Sequence, residues 1–224
     1  MRSVRGDEGH AGDLTARAAI RNAALSLFAE RGPDAVSVRE IASAAGVSPA
    51  LVLHHYVSKD GLRAAVDEFA AGAFEAVLEG LGEGGLADAL AGDDPTDPAG
   101  AGVASMAEAF AQGFPPGSPL PAYLRRLLLA GDPSGDALFA RWHAATVDLM
   151  AALEAEGMAR PSADPAARAA FLLVNDFAVL LLARQVAAAI GVDPLSPAGI
   201  QRWAVQATDV YTHGAFRAPI EGES

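Results

Sequence analysis

Cysteine does not occur in this 224-residue chain. Its absence excludes disulfides, thiolate metal sites and a thiol nucleophile. Lysine occurs once, at Lys59. No stretch alternates apolar and polar residues convincingly enough to read as a strand. The longest apolar run, Phe171 to Ala183, is interrupted by Asn175-Asp176 and closed by Arg184. It falls short of the roughly 20 residues that span a bilayer. The opening residues, MRSVRGDEGHAGD, have no apolar core of the kind a secretory signal needs. Neither a membrane partner nor export is expected, and the cytoplasm is the expected location. Catalytic signatures are missing as well. A di-iron bundle needs Glu three residues before His, but Ala140 precedes His143 and Val210 precedes His213. Gly82-Glu83-Gly84-Gly85 follows no strand and makes no phosphate loop. The neighbouring His54 and His55 would point apart on a helix. No enzyme activity, catalytic residue, cofactor or metal is therefore expected.

What is present favours helix. Hydrophobic residues make up 51% of the chain and its mean hydropathy is +0.23, enough for a sizeable core, and alanine is abundant. The net charge of −12 argues at first against nucleic acid. The charge is unevenly placed, however. Residues 1–63 carry eight basic and seven acidic side chains, whereas 64–224 carry eight and 21. A near-neutral head can dock on phosphates through local contacts, while the acidic remainder limits non-specific binding.

Read in order, residues 1–13 are polar and glycine-bearing and are expected to form a mobile arm. Thr15 to Arg31 forms a first helix, with Ile20, Ala24, Leu27 and Phe28 on one apolar face and Gly32-Pro33 as its stop. Gly82 to Gly100 reads as a loop with a short helical piece at Leu86 to Leu90. Further helices are expected over 103–112, 120–130, 135–156, 165–190 and 197–211.

Between the first helix and that loop lies the most specific stretch, Ser37 to Leu62. Ser37 and Glu40 form a capping box, stapled by Val36 and Ile41. Ser48 is a second N-cap, with Pro49 at the first helical position and Val47 and Val52 as its staple. Ser58 is a third, with Val57 and Leu62 as its expected staple and Asp60 in the first turn. Gly46 suits the left-handed position that ends a helix. These signals place helices over 38–45, 49–56 and from Lys59 to about Leu81, the first two forming a helix-turn-helix. On the second of them Val52 and Tyr56 face inward. Pro49, Ala50 and Leu53 form another face, small and apolar, that can reach base edges and thymine methyls in a major groove. Ser37 and Ser48 place hydroxyls and free N–H groups where phosphate is favoured. Arg17 and Arg21, one turn apart, can approach phosphate from the flank or form a solvated face.

The first helix, this helix-turn-helix and the long helix after it resemble the tetracycline-repressor (TetR) family of transcriptional regulators. The resemblance is carried by Leu27 to Gly32, Val36 to Ala42, Ala45-Gly46-Val47-Ser48, and His55-Tyr56 with Lys59, Asp60 and Leu62. It covers about 50 residues. It implies an all-α protein with the helix-turn-helix domain over 14–60 and a helical ligand-binding and dimerisation domain over 61–224. It also implies phosphate contacts from Lys59 and His55. Where the family usually has an aromatic side chain that contacts the DNA backbone this chain has Leu53, which cannot donate a hydrogen bond, so either His54 or His55 takes that contact or the site differs. The partners implied are double-stranded operator DNA, a small-molecule effector, and a second copy of the chain docked through about 165–190 and 197–213. Helix 165–190 is apolar nearly all round and needs cover on more than one side.

Candidate effector contacts are polar or aromatic groups within the apolar helices: Phe110, Phe114, Tyr123, Trp142, His143, Thr146, Asn175 and Asp176. The whole reads as a ligand-responsive regulator, a repressor released from a near-palindromic operator by a small apolar molecule. Two other readings compete: a helical ligand-binding protein that has lost DNA binding, and a helical-bundle enzyme.

Overall fold

The computed structural model describes residues 5–80, 114, 115 and 117–215, and all of its regular structure there is helical. The helices are α1 (Arg5–Arg31), α2 (Val38–Ala45), α3 (Pro49–Tyr56), α4 (Lys59–Gly80), α5 (Leu120–Leu129), α6 (Pro133–Ala155), α7 (Pro165–Leu181), α8 (Ala183–Ile190) and α9 (Pro197–His213). The expected loop at 82–100, the helical pieces at 86–90 and 103–112, and Phe110 lie outside the described residues.

The described residues divide into two compact units. The first takes its residues from the chain up to Phe74 and from Gly117–Ala140. Its core is built on α1, whose Ile20, Ala24 and Phe28 are fully buried. The same unit buries Val36 and Ile41 of the α2 entry, Val52 and Tyr56 of α3, Leu62 and Val66 of α4, and Tyr123, Leu124 and Leu127 of α5, and α2, α3 and α5 contact α1 directly. The Tyr56 hydroxyl donates to the Arg17 carbonyl at 2.7 Å, tying α3 to α1. The second unit takes its residues from Glu75–Pro116 and Arg141–Ser224. Its buried side chains include Phe114, Trp142, Thr146, Leu173, Phe177, Leu180 and Ile200.

Most helix ends fall where the caps place them. Two do not. The first helix starts at Arg5, so residues 5–13, expected as part of a mobile arm, are helical. Nothing in that segment forbids extension: it holds no proline, and propagation from an existing helix is far easier than nucleation. The helix expected over 165–190 is two helices, α7 and α8, bent by 77°. The break is at Leu182, whose φ −110° and ψ 22° leave the helical region. No proline or glycine marks it. Packing decides it instead, because α7 buries Leu173, Phe177, Val179 and Leu180 whereas α8 buries no residue. Among the described residues no single helix is long and apolar enough to cross a membrane; α7 and α8 reach that length only as a bent pair.

Candidate nucleic-acid interface

Local chemistry fixes the helix-turn-helix tightly. The Ser37 backbone N–H and hydroxyl both donate to Glu40 Oε2, at 2.8 and 2.7 Å, and Ser37 Oγ accepts from Glu40 N. Arg31 Nη1 holds the other carboxylate oxygen at 2.8 Å. These donors, the Ser37 N–H first and then its hydroxyl and Arg31, lower the Glu40 pKa to about 2. α2 ends at Gly46, whose φ of +69° is the left-handed conformation that glycine adopts without a Cβ penalty. α3 then starts at Ser48, whose Oγ accepts from Leu51 N at 3.2 Å.

The joint between α3 and α4 is unusual. Val57 has φ +64° and ψ −46°, and is the one described non-glycine residue with positive φ. Ser58 N donates to the Tyr56 carbonyl at 2.6 Å, two residues back. This is the strained form of γ-turn. The Val57 side chain therefore points outward, 85% exposed, and the expected Val57–Leu62 staple does not form. The Ser58 cap does form, with its Oγ accepting from Gly61 N at 3.0 Å. A Cβ at Gly61 would lie 2.3 Å from the Tyr56 carbonyl oxygen, so only glycine fits there without movement.

The turns and staples set which residues face out. Val52 and Tyr56 are buried, whereas Pro49, Ala50, Leu53 and His54 are exposed and His55 is half-buried. Leu53 keeps 45% of its surface exposed, high for a large apolar side chain. Ser37 and Ser48 are exposed at their helix starts. Lys59 is half-buried, with Nζ 3.5 Å from the Asp34 carbonyl. The eight residues expected to meet DNA (Ser37, Ser48, Pro49, Ala50, Leu53, His54, His55 and Lys59) thus fall within one continuous segment, Ser37 to Lys59. The flanking arginines divide. The Arg21 guanidinium lies 3.7 Å from the centre of the Phe69 ring, a cation–π contact. Arg17 is exposed, with its guanidinium 5.5 Å from the Tyr56 ring centre. Arg39 was not singled out from the sequence, yet it is exposed in the first turn of α2. A cation there opposes the helix dipole; that local mismatch is the signal that marks it as a candidate anion contact.

The expected effector residues do not form one group. Tyr123 belongs to the first unit, where its hydroxyl donates to Asp67 Oδ1. Arg63 Nη2 bridges to Asp132 Oδ2 at 2.6 Å, and Arg63 Nε lies 3.9 Å from Asp67. Burial raises the Asp67 carboxyl above its ordinary value, against the lowering effect of the Tyr123 and Arg63 contacts. In the second unit Trp142 is fully buried, its ring stacked on Phe177 with centres 4.7 Å apart. The Thr146 hydroxyl is buried and donates to the Trp142 carbonyl one turn back at 2.9 Å. His143 Nε2 lies 2.9 Å from the Ala166 carbonyl; a carbonyl only accepts, so Nε2 carries the proton. Asn175 Nδ2 donates to the Tyr211 hydroxyl at 2.7 Å, and that hydroxyl donates to Asp176 Oδ1 at 2.8 Å. Phe114 is buried. Among the described residues no group of three or more His, Cys, Asp or Glu is placed to hold a metal.

An exposed recognition helix anchored on a helical core, in a chain that continues into a further helical unit, defines a helix-turn-helix DNA-binding protein. Comparison with known proteins carries this further. Residues 20–66 match the family described as bacterial regulatory proteins, tetR family, and 117–217 match the tetracyclin repressor-like C-terminal domain. The HTH-type transcriptional regulatory protein RaaS of Mycobacterium tuberculosis is 37% identical over 174 residues, covering 78% of this chain and 74% of that protein. The fold is shared with SmeT, the repressor of the Stenotrophomonas maltophilia multidrug efflux pump SmeDEF (TM-score 0.57, 19% identity, 91% and 97% of the two chains). It is also shared with the TetR-family regulator PfmR of Thermus thermophilus (TM-score 0.55, 23% identity, 88% and 99%). The chain belongs to the TetR family and is a helix-turn-helix transcriptional regulator.

Proposed function

We propose that the protein is a homodimeric repressor that acts in the cytoplasm and leaves its operator when a small, mostly apolar effector binds. Each subunit lays α3 in the major groove of one half of a near-palindromic operator, the half-sites roughly 34 Å or somewhat more apart. Pro49, Ala50, Leu53 and His54 meet base edges. Ser37, Ser48, His55, Lys59 and Arg39 meet phosphates. The observation that carries this reading is the exposed face of α3 bounded by two capped helix starts.

The second copy docks on the last helices. Phe171, Val174 and Leu182 of the α7–α8 segment are 67%, 54% and 49% exposed, and Val205 and Val210 of α9 also lie open. Apolar exposure concentrated in this way favours a partner surface. The effector occupies the second unit, with Trp142, His143, Thr146, Phe114, Asn175 and Asp176 as its candidate contacts. Operator and effector binding are linked, each weakening the other by the same factor.

The test is a mobility shift with DNA from upstream of the protein's own gene, using the wild type and Ala50→Asp. The wild type should bind. The carboxylate introduced at the exposed Ala50 should abolish binding by repulsion in the groove, with the dimer intact by sedimentation. A folded wild-type dimer that shifts no DNA at low salt would instead support a ligand-binding protein without operator function.

A further inference from the structure

We infer that this protein reads its operator chiefly through the C5-methyl groups of thymine, contacted by Ala50 and Leu53, with His54 as the single polar reader on the recognition helix. The inference rests on the regulator reading above and specifies the DNA that the same site takes.

Helix α3 reads Pro49-Ala50-Leu51-Val52-Leu53-His54-His55-Tyr56. It contains no arginine, lysine, asparagine, glutamine, aspartate, glutamate, serine or threonine. Polar base readout depends on those side chains: arginine or lysine on the O6 and N7 of guanine, asparagine or glutamine on adenine, a carboxylate on the cytosine amino group. None of these pairings can be made from this helix. Val52 and Tyr56 are spent on the core, and Tyr56 has its hydroxyl on the Arg17 carbonyl. The exposed positions 50, 53 and 54 follow a spacing of three and four from the first, which is one helical face. Two of those three are apolar, and the exposed Pro49 beside them carries no donor.

An apolar side chain recognises one feature of the major groove, the thymine methyl group. Leu53 holds a large apolar surface open to water on the face that must enter the groove, and Ala50 beside it is small enough to let the backbone approach. The two ring nitrogens of a histidine point in different directions and cannot both meet the edge of one base. His54 therefore gives any one base a single hydrogen bond, not a two-point code.

The experiment uses the full-length dimer. Bound DNA is selected from a random library, and the selected duplex is then remade with deoxyuridine replacing thymine one position at a time. Deoxyuridine keeps the Watson–Crick edges and removes only the methyl. Affinity should fall about fourfold for each contacted methyl, the equivalent of losing burial of one CH₂-sized group, at symmetric positions in both half-sites. Leu53→Ala, a change at an exposed position, should erase the uridine penalty at one position per half-site and leave the others. A selected site whose affinity is indifferent to uridine at every position overturns the inference while leaving DNA binding in place. So does a Leu53→Ala protein that keeps every penalty. A selection that yields no preferred sequence overturns the regulator reading, and the methyl readout with it.

Discussion

Lys59 is the only lysine of the chain and stands in the first turn of α4. Its ammonium makes a long 3.5 Å approach to the Asp34 carbonyl, which leaves its charge available to a phosphate. Lys59→Ala should weaken binding to all DNA sequences alike. It should also flatten the slope of log affinity against log salt by about 2 for a dimer making one such contact per subunit. An unchanged slope in a fluorescence-anisotropy salt titration would rule out the phosphate role. Glu40 gives a pH prediction at the same scale. Its folded pKa of about 2 lies below the ordinary 4.5. A depressed carboxylate contributes stability that is fully present above its unfolded value and disappears as pH falls through the folded one. The contribution should therefore fade between the ordinary 4.5 and about 2. Glu40→Gln should melt with a smaller pH dependence than wild type across that window at low salt. Because the carboxylate is exposed, salt should shrink the difference.

Single elements differ in how plainly the sequence announces them. The helix starts at Ser37 and Ser48 were legible because a cap and its partner lie three residues apart, and that grammar needs no tertiary context. The inward placing of Val52 and Tyr56 followed from periodicity alone. The γ-turn at Val57 was hidden, since a β-branched residue is among the last expected at positive φ; it is held there by Tyr56, Ser58 and Gly61 together. The α7–α8 bend was hidden for a related reason: the run Leu180 to Ala183 carries no breaker, and burial of one segment without the other decides the geometry. Nor could spacing reveal that Tyr123 pairs with Asp67, 56 residues earlier. Val57→Gly should relieve the strain and raise stability by about 1 kcal/mol, read as a higher denaturant midpoint with unchanged slope. A lower midpoint would mean that the valine side chain makes contacts outweighing its backbone cost.

For the molecule as a whole, the proposed dimer face can be tested at the exposed apolar side chains of α7, α8 and α9. Phe171 is 67% exposed while Leu173, two residues on, is 3% exposed. The two positions therefore separate assembly from folding. Phe171→Glu should give a monomer at micromolar concentration, by sedimentation, with its helical circular dichroism retained. Leu173→Arg should lose the fold itself, since an unpaired buried charge is rarely tolerated. A Phe171→Glu protein that stays dimeric would move the interface off this face.

The makeup of the first unit bears on how such regulators can be recombined. Helix α5 lies about 40 residues beyond the end of α4, yet its Tyr123, Leu124 and Leu127 complete the core built on α1. Arg126 reaches the Glu30 carbonyl at 3.1 Å, closing the end of the same helix. The DNA-reading head is therefore not a detachable stretch of chain. A chimera spliced just after the helix-turn-helix would leave α1 facing a foreign α5, with mismatched side chains in place of Tyr123, Leu124 and Leu127. Heads are exchangeable between relatives only if residues 117–140 travel with them, which makes a two-segment graft the smallest portable unit of specificity.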